Sequence, residues 1–330
     1  MQEVYEDIFQ ILVPLPNNPL KVLNSYVIKG EPRNLIIDTG FNMPECEESL
    51  LSGLKELDID LDKTDIFITH LHSDHSGLMD KLKTPANQVY ISETDGRILH
   101  YNKASDYWDR MMERLIPMGF PLNVKIDKTD HPGYAHFVNN LPEFTYLQPG
   151  TIMKVGKYTF EVIDLKGHSP GQIGLFDWEK GILFSGDHIL IKITPNITYW
   201  SFGMDDLGNF LENLNKVKDL PVKIVFPAHR QIITNPVERI DQLLQHHARR
   251  LNNIINVLKE KNSTMYEIAS GIPWDFGGGE FLDFPKAQKW FAAGEVHAHM
   301  EYLERRNQVR KQVNDEGFLV YELLSHEQAT

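Results

Sequence analysis

Apolar positions in the first third of the chain fall into short runs with the two-residue rhythm of strands. Residues 8–14, 23–29 and 34–38 read as three strands, separated by the turn-forming stretches Asn17-Asn18-Pro19 and Gly30-Glu31-Pro32-Arg33. At 43–57 the period changes. Leu50, Leu51, Leu54 and Leu57 recur at helical spacing, which predicts an amphipathic helix covering that sheet. Asp65-Ile66-Phe67-Ile68 is β-branched and aromatic and reads as a buried strand. A short helix through Leu78, Met79 and Leu82 follows, then a strand at 88–92. A second group of strands is predicted at 151–155, 157–165, 172–178, 181–185 and 223–226, with Asp177-Trp178-Glu179-Lys180-Gly181 as a hairpin turn. Residues 210–218 are predicted to be a helix packing on this half.

Residues 93–144 interrupt the pattern. Residues 95–118 are helical in character and rich in large side chains, including Tyr101, Tyr107, Trp108, Met111, Met112, Leu115 and Met118. Such a stripe packs cores more often than it binds cofactors. Gly119-Phe120-Pro121-Leu122 and a polar stretch follow, in which His131 and His136 are expected at the surface. Beyond His229 the period is helical again. Pro236 opens a long helix to 261 carrying Ile240, Leu243, Leu244, Leu251, Ile254, Ile255 and Leu258 on one stripe. Thr264 and Glu267 form a capping box for a helix at 265–270. A third helix is predicted at 284–306. Strands at 309–313 and 318–323 flank Asn314-Asp315-Glu316-Gly317 as a hairpin. The chain thus divides into 1–235, with 93–144 as an insertion, and 236–330.

Three helices and a hairpin resemble a winged-helix module, for which DNA is the ordinary partner. Charge argues otherwise. From Arg239 onward there are eleven basic and thirteen acidic side chains, and Arg305, Arg306, Arg310 and Lys311 are the one basic cluster. The whole chain carries a net charge of −13, which opposes non-specific nucleic-acid binding. A packing or dimerising appendage is the expectation. No apolar run approaches a membrane span, and the acidic N-terminus is unlike a basic secretion signal, so the expected location is the cytoplasm. Cys46, the single cysteine, lies among Glu45, Glu47 and Glu48 and is expected to be an inert helix residue.

The candidate chemistry begins where the strand at 65–68 ends, in Thr69-His70-Leu71-His72-Ser73-Asp74-His75-Ser76-Gly77. Alternation turns His70 and His72 to the same side, so both imidazoles can reach one ion. Asp74 and His75 follow where the chain turns and can face a second ion. Three further candidates each end an apolar run: His168 in Lys166-Gly167-His168-Ser169-Pro170-Gly171, Asp187 in Phe184-Ser185-Gly186-Asp187, and His229 in Phe226-Pro227-Ala228-His229. No Gly-x-Ser-x-Gly elbow competes with a metal-based reading.

His70-x-His72-x-Asp74-His75, with His168, Asp187, His229 and the early Asp38-Thr39-Gly40 turn, resembles the metallo-β-lactamase superfamily over the first two thirds of the chain. The resemblance implies an α+β, four-layer αββα sandwich with the ligands along one edge. It implies that His70, His72 and His168 bind one divalent ion, that Asp74, His75 and His229 bind the other, and that Asp187 bridges them. Imidazole and carboxylate ligands suit zinc, and also iron or manganese. Two ions about 3.5–4 Å apart would hold a shared water as hydroxide. The expected activity is hydrolysis of a small ester, thioester or lactone, as in glyoxalase II and the lactonases. The alternatives are a phosphodiesterase or endoribonuclease, and a mono-iron persulfide dioxygenase; His72 argues against a flavodiiron protein. In this superfamily segments such as 93–144 often wall the pocket, so 101–120 is expected to be a lid. Asp74 and Tyr199 are the candidate catalytic groups, with Tyr199 or Trp200 lining the pocket and His188 beside Asp187 as a supporting residue.

Overall fold

The computed structural model describes residues 1–103, 106–121, 127–200, 204–274 and 280–325. Leu122, and residues 104–105 of the expected lid, lie outside them. A first sheet has the order β1 (Gln2–Tyr5), β2 (Ile8–Pro14), β3 (Val22–Ile28), β4 (Asn34–Ile37), β5 (Thr64–Phe67), β6 (Val89–Ser92) and β7 (Thr145–Leu147). It is antiparallel from β1 to β4 and parallel from β4 to β7. The second sheet runs β12 (Ile224–Pro227), β11 (Ile182–Gly186), β10 (Ile173–Asp177), β9 (Tyr158–Asp164), β8 (Ile152–Val155). Only its β11–β12 pair is parallel. The short edge strands β1 and β7 were not expected from the pattern: Gln2-Glu3-Val4-Tyr5 and Thr145-Tyr146-Leu147 have too few apolar positions to show alternation.

The sheets face each other across a buried layer in which Tyr26, Ile28, Ile37 and Phe67 meet Phe160, Val162, Phe184 and Phe226. Phe184 stacks on Phe226 at 5.1 Å, and Tyr26 packs edge-on against both. Helix α1 (Pro44–Glu56), with the short α2 (Ser73–Ser76) and α3 (Met79–Leu82) and then α4 (Glu93–Asn102), covers the first sheet through Leu50, Leu54, Met79 and Leu99. Cys46 belongs to this layer; burial pushes its thiol up to about 11, in keeping with an inert residue. The segment expected as one helix at 95–118 is two, α4 and α5 (Tyr107–Glu113), and a one-turn helix α6 (Pro132–Ala135) follows.

Helix α7 (Asp206–Asp219) and the start of α8 (Pro236–Glu260) cover the second sheet through Phe210, Leu214, Ile240 and Leu243. The result is the four-layer αββα sandwich. Past it, α8, α9 (Met265–Gly271) and α10 (Lys286–Arg305) close over Ile254, Ile268, Val296, Met300 and Tyr321. A third sheet, β13 (Ser263–Thr264), β15 (Leu319–Leu323) and β14 (Val309–Val313), completes this helical, winged-helix-like region. The capping box at Thr264 and Glu267 is formed as expected. No helix among the described residues is long and apolar enough to cross a membrane.

The inserted segment is tied to this region. Tyr266 N donates to Met118 O at 3.2 Å, Leu319 N donates to Pro117 O at 2.6 Å, and Phe120 packs on Tyr266. His131, expected at the surface, instead has its ring among Trp108, Trp290 and Phe291. Burial lowers its pKa to about 4, so it is a neutral packing group. His136 lies against Phe41 at 4.6 Å. The inserted segment therefore forms a seam with α9 through Phe120 and with α10 through His131.

Because Phe184 is wholly buried between the sheets, Phe184→Ala should cost about 3–5 kcal/mol of unfolding free energy. Urea unfolding should show this as a lower midpoint at unchanged slope.

Candidate metal centre

Each of the seven residues expected to act on a metal follows a strand or opens a helix at one edge of the sandwich. His70 and His72 follow β5, and Asp74 and His75 occupy α2. His168 follows β9, Asp187 follows β11, and His229 follows β12. The structure brings all seven together. His70 Nε2 lies 2.9 Å from His72 Nδ1, and the rings of His70 and His72 are 4.9 and 4.6 Å from that of His168. On the other side, His229 Nε2 is 3.2 Å and His75 Nε2 3.5 Å from Asp74 Oδ2. Asp187 sits between the two groups. Its Oδ1 faces His229 at 3.5 Å and His75 at 3.7 Å, and its Oδ2 faces His168 at 3.6 Å. Three overlapping sets have the spacing to hold an ion: His70, His72, His168; His70, His75, Asp187; and Asp74, His75, His229.

Hydrogen bonds behind the rings decide which nitrogen faces inward. His168 Nδ1 donates to Asn196 O at 2.7 Å and His229 Nδ1 to Val22 O at 2.8 Å. A carbonyl can only accept, so each Nδ1 carries a proton, and in its neutral form each ring turns a bare Nε2 towards the cluster. His75 Nδ1 donates to Asp38 Oδ2 at 2.8 Å, and His70 Nδ1 lies 3.1 Å from Thr69 Oγ1. The inward atoms His75 Nε2, His168 Nε2, His229 Nε2 and Asp187 Oδ1 are buried without a hydrogen-bond partner. Orphaned lone pairs of this kind are costly unless a cation engages them. The carbonyl or carboxylate behind His75, His168 and His229 is the arrangement that metal-ligating histidines use. The donor set therefore fits divalent metal.

The electrostatics agree. Burial, then the neighbouring imidazoles, hold the pKa values of His70 and His72 well below the ordinary value, and burial lowers His168. All three are thus neutral and able to ligate. For His75 and His229 burial pulls downwards, but Asp74 and Asp187 outweigh it and raise both. Asp187 is driven the other way: burial opposes ionisation, and His229 and His75 overcome it. Imidazoles and carboxylates of opposed demand share a dry site, and each is shifted by the rest.

Tyr199 is not among the residues brought together. Its ring packs 4.0 Å from that of His297 on α10, and the charges around it are Glu301, Lys311, Asp206 and Arg305. Its neighbour Trp200 is the aromatic at the cluster, stacked on His72 at 5.7 Å and donating from Nε1 to His168 O at 3.3 Å. His188 is wholly buried against Phe210, outside the cluster.

Two supports hold the ligand loops, of which the sequence pointed to Asp38, in its early turn, and not to Asp95. Asp95, on the first turn of α4, accepts from Leu71 N, Ser169 Oγ and Gly171 N at 3.0, 2.6 and 2.7 Å, so one carboxylate pins both the His70–His72 and the His168 loops. A Cβ at Gly171 would lie 2.4 Å from Ser92 Oγ and 2.8 Å from Asp95 N, which is why glycine stands there. The only local signal was the Ser92 cap of Asp95 N. Asp38, at φ +59°, holds both Thr69 and His75.

The chain belongs to the metallo-beta-lactamase superfamily, whose profile matches residues 20–229. It is a metal-binding hydrolase of that superfamily. Among curated relatives it is 24% identical over 307 residues to the probable metallo-hydrolase YqjP of Bacillus subtilis, covering 91% of this chain and 92% of that one. It is 25% identical over 254 residues to the atrochrysone carboxyl ACP thioesterase of Emericella nidulans, covering 77% and 66%. The crystal structure of a metallo-beta-lactamase family protein from Thermus thermophilus superposes with a TM-score of 0.81 at 24% identity, covering 98% of this chain and all of that one.

Asp95→Ala should lower stability by about 3 kcal/mol, since three donors lose their acceptor. Burial pushes the Asp95 carboxyl up to about 6 from 3.8. A raised folded pKa means that its ionisation removes stability as pH climbs from about 4 through 6. Across that window the native protein should lose stability relative to Asp95→Asn, which cannot titrate, in unfolding curves measured at successive pH values.

Proposed function

We propose that the chain is a two-metal hydrolase of small esters, thioesters or lactones, with thioesters foremost. The observation that carries it is the set of inward, unpartnered Nε2 and carboxylate atoms that Asp187 divides into two groups. His70, His72 and His168 would hold one ion, Asp74, His75 and His229 the other, with Asp187 shared. Zinc fits these ligands best, and iron or manganese fits them also. Bound there, divalent ions supply Lewis-acid polarisation of the scissile carbonyl and a water nucleophile at neutral pH.

The protein's own part is to aim and to shield. Asp38, Val22 and Asn196 fix three imidazoles in the tautomer that leaves Nε2 bare. Trp200 lies over His72 and keeps one side of the cluster dry. Asp74 is the carboxylate we assign to receive the proton of the attacking water. Tyr199, turned towards His297, has no part in this scheme.

Likeness to a fungal thioesterase over most of the chain favours thioesters among the candidate substrates. Charge favours a small molecule over nucleic acid. In the basic cluster, Arg306 pairs with Asp205, Arg310 with Glu322, and Lys311 with Glu301 and Glu304. We assign residues 1–235 to the catalytic unit and 236–330 to a packing unit that carries α10 to the edge of the site.

Purified protein should hold two equivalents of metal, and a chelator should abolish thioester hydrolysis reversibly. His70→Ala should lower kcat/KM by more than about 100-fold with the fold intact by circular dichroism. Full activity in that variant removes metal from the reaction. Faster turnover of bis-nitrophenyl phosphate than of any thioester or lactone overturns the substrate class.

A further inference from the structure

Asn196 faces two ways. Its backbone oxygen accepts from His168 Nδ1, while its side-chain Nδ2 donates to Glu295 Oε2 at 3.1 Å and to Phe291 O at 3.2 Å. Both of those acceptors belong to α10. Neighbours in the segment repeat the pattern. A Cβ at Gly294 would lie 2.3 Å from Thr198 Oγ1, so glycine lets the strap lie flush on the helix. Tyr199 packs on His297, and Trp200 reaches back to His168 and His72. Residues 196–200 thus form a strap with one face on α10 and the other on the candidate ligands.

Glu295 is itself held in a buried polar network between α8 and α10. Arg250 Nε lies 3.3 Å and His246 Nε2 4.0 Å from its Oε1. Arg250 is fixed in turn by donating to Pro273 O at 2.9 Å and by lying 3.9 Å over the Trp274 ring. His299 Nδ1 donates to Glu295 O at 2.7 Å, leaving its Nε2 to accept from His247 Nδ1 at 3.2 Å. By spacing alone His247, Glu295 and His299 can hold an ion. Charge decides against it. Arg250 already balances Glu295, and a divalent ion would leave two uncompensated positive charges in a dry interior. What the network does is hold one ionised carboxylate at a fixed point, where the Asn196 amide meets it.

We propose that Asn196 and Glu295 are positioning residues, through which α10 sets the orientation of His168 and hence the affinity of the His70–His72–His168 group for its ion. This inference rests on the metal-centre reading above. A ligand imidazole is tuned by the acceptor behind it, and loss of such a partner typically weakens metal binding 10–100-fold. Here the acceptor is a loop carbonyl, and its place is set by the side chain of the same residue.

Cobalt(II) titration of the metal-stripped full-length protein, followed by its visible absorption bands, tests this. The native protein should take up two equivalents. In Asn196→Ala and Glu295→Ala one binding step should weaken by about tenfold or more while the other is unchanged. Glu295→Gln, which keeps an oxygen for the Asn196 amide, should recover much of the lost affinity. Lys286→Ala, exposed at the start of α10, should titrate as native. The metal-free melting temperature of Asn196→Ala should stay within a few degrees of the native value, which separates positioning from folding. Native titration by both alanine variants overturns the inference alone, provided that His70→Ala has lost uptake. A third cobalt equivalent that disappears in His299→Gln overturns it too, by making Glu295 a ligand. No uptake by the native protein overturns the metal centre itself.

Discussion

A neutral imidazole has one proton to give and one lone pair to offer, and where the proton goes determines where the lone pair points. At this site the proton is spoken for. Asn196 O, Val22 O and Asp38 Oδ2 accept from the Nδ1 atoms of His168, His229 and His75, so all three rings aim Nε2, the atom left to bind a metal in the neutral form, at one dry volume. Moving any of these acceptors by an ångström would swing a ring away from its neighbours. The rest of the architecture can be read as the means of keeping them still: two sheets clamped through Tyr26, Phe184 and Phe226, and a carboxylate, Asp95, that ties two ligand loops to one helix.

What was legible in the sequence is what is local. Each candidate ligand ends a short apolar run, and such runs become buried strands whose last residues emerge at a sheet edge. His70 through His75, His168, Asp187 and His229 were visible for that reason, as were the capping box at Thr264 and the long apolar stripe of α8. Of the acceptors behind the ligands, only Asp38 stood out, in its Asp38-Thr39-Gly40 turn. Val22 lies 207 positions from His229, and Asp95 lies 76 from Gly171. Nothing in a valine or in the first turn of a helix announces such a partner. Tyr199 and Trp200 show the limit at its sharpest: adjacent residues in an irregular segment point to opposite sides, and no period exists to say which.

The inserted segment teaches a related lesson. Its large side chains read as core or cover, and its two histidines as surface groups. His131, which also meets Trp108, packs on α10, and Phe120 packs on α9. A hydrophobic stripe reports that something is covered, and the sequence alone does not say what. Here the cover is another part of the same chain, so the inserted segment and the appended helices share a seam.

His229 is the last of the seven candidate ligands to be synthesised, and its ring is seated on one of the first strands. Asn24 and Tyr26 of β3 also reach across to Pro227 and Arg230 next to it. Closing so long a loop is entropically costly and kinetically slow. On the ribosome, β3 must therefore wait for its distant partner while some two hundred residues emerge between them. The nascent chain can display His70, His72 and His168 well before His229 emerges, so the cluster is complete only at the closing stage of folding.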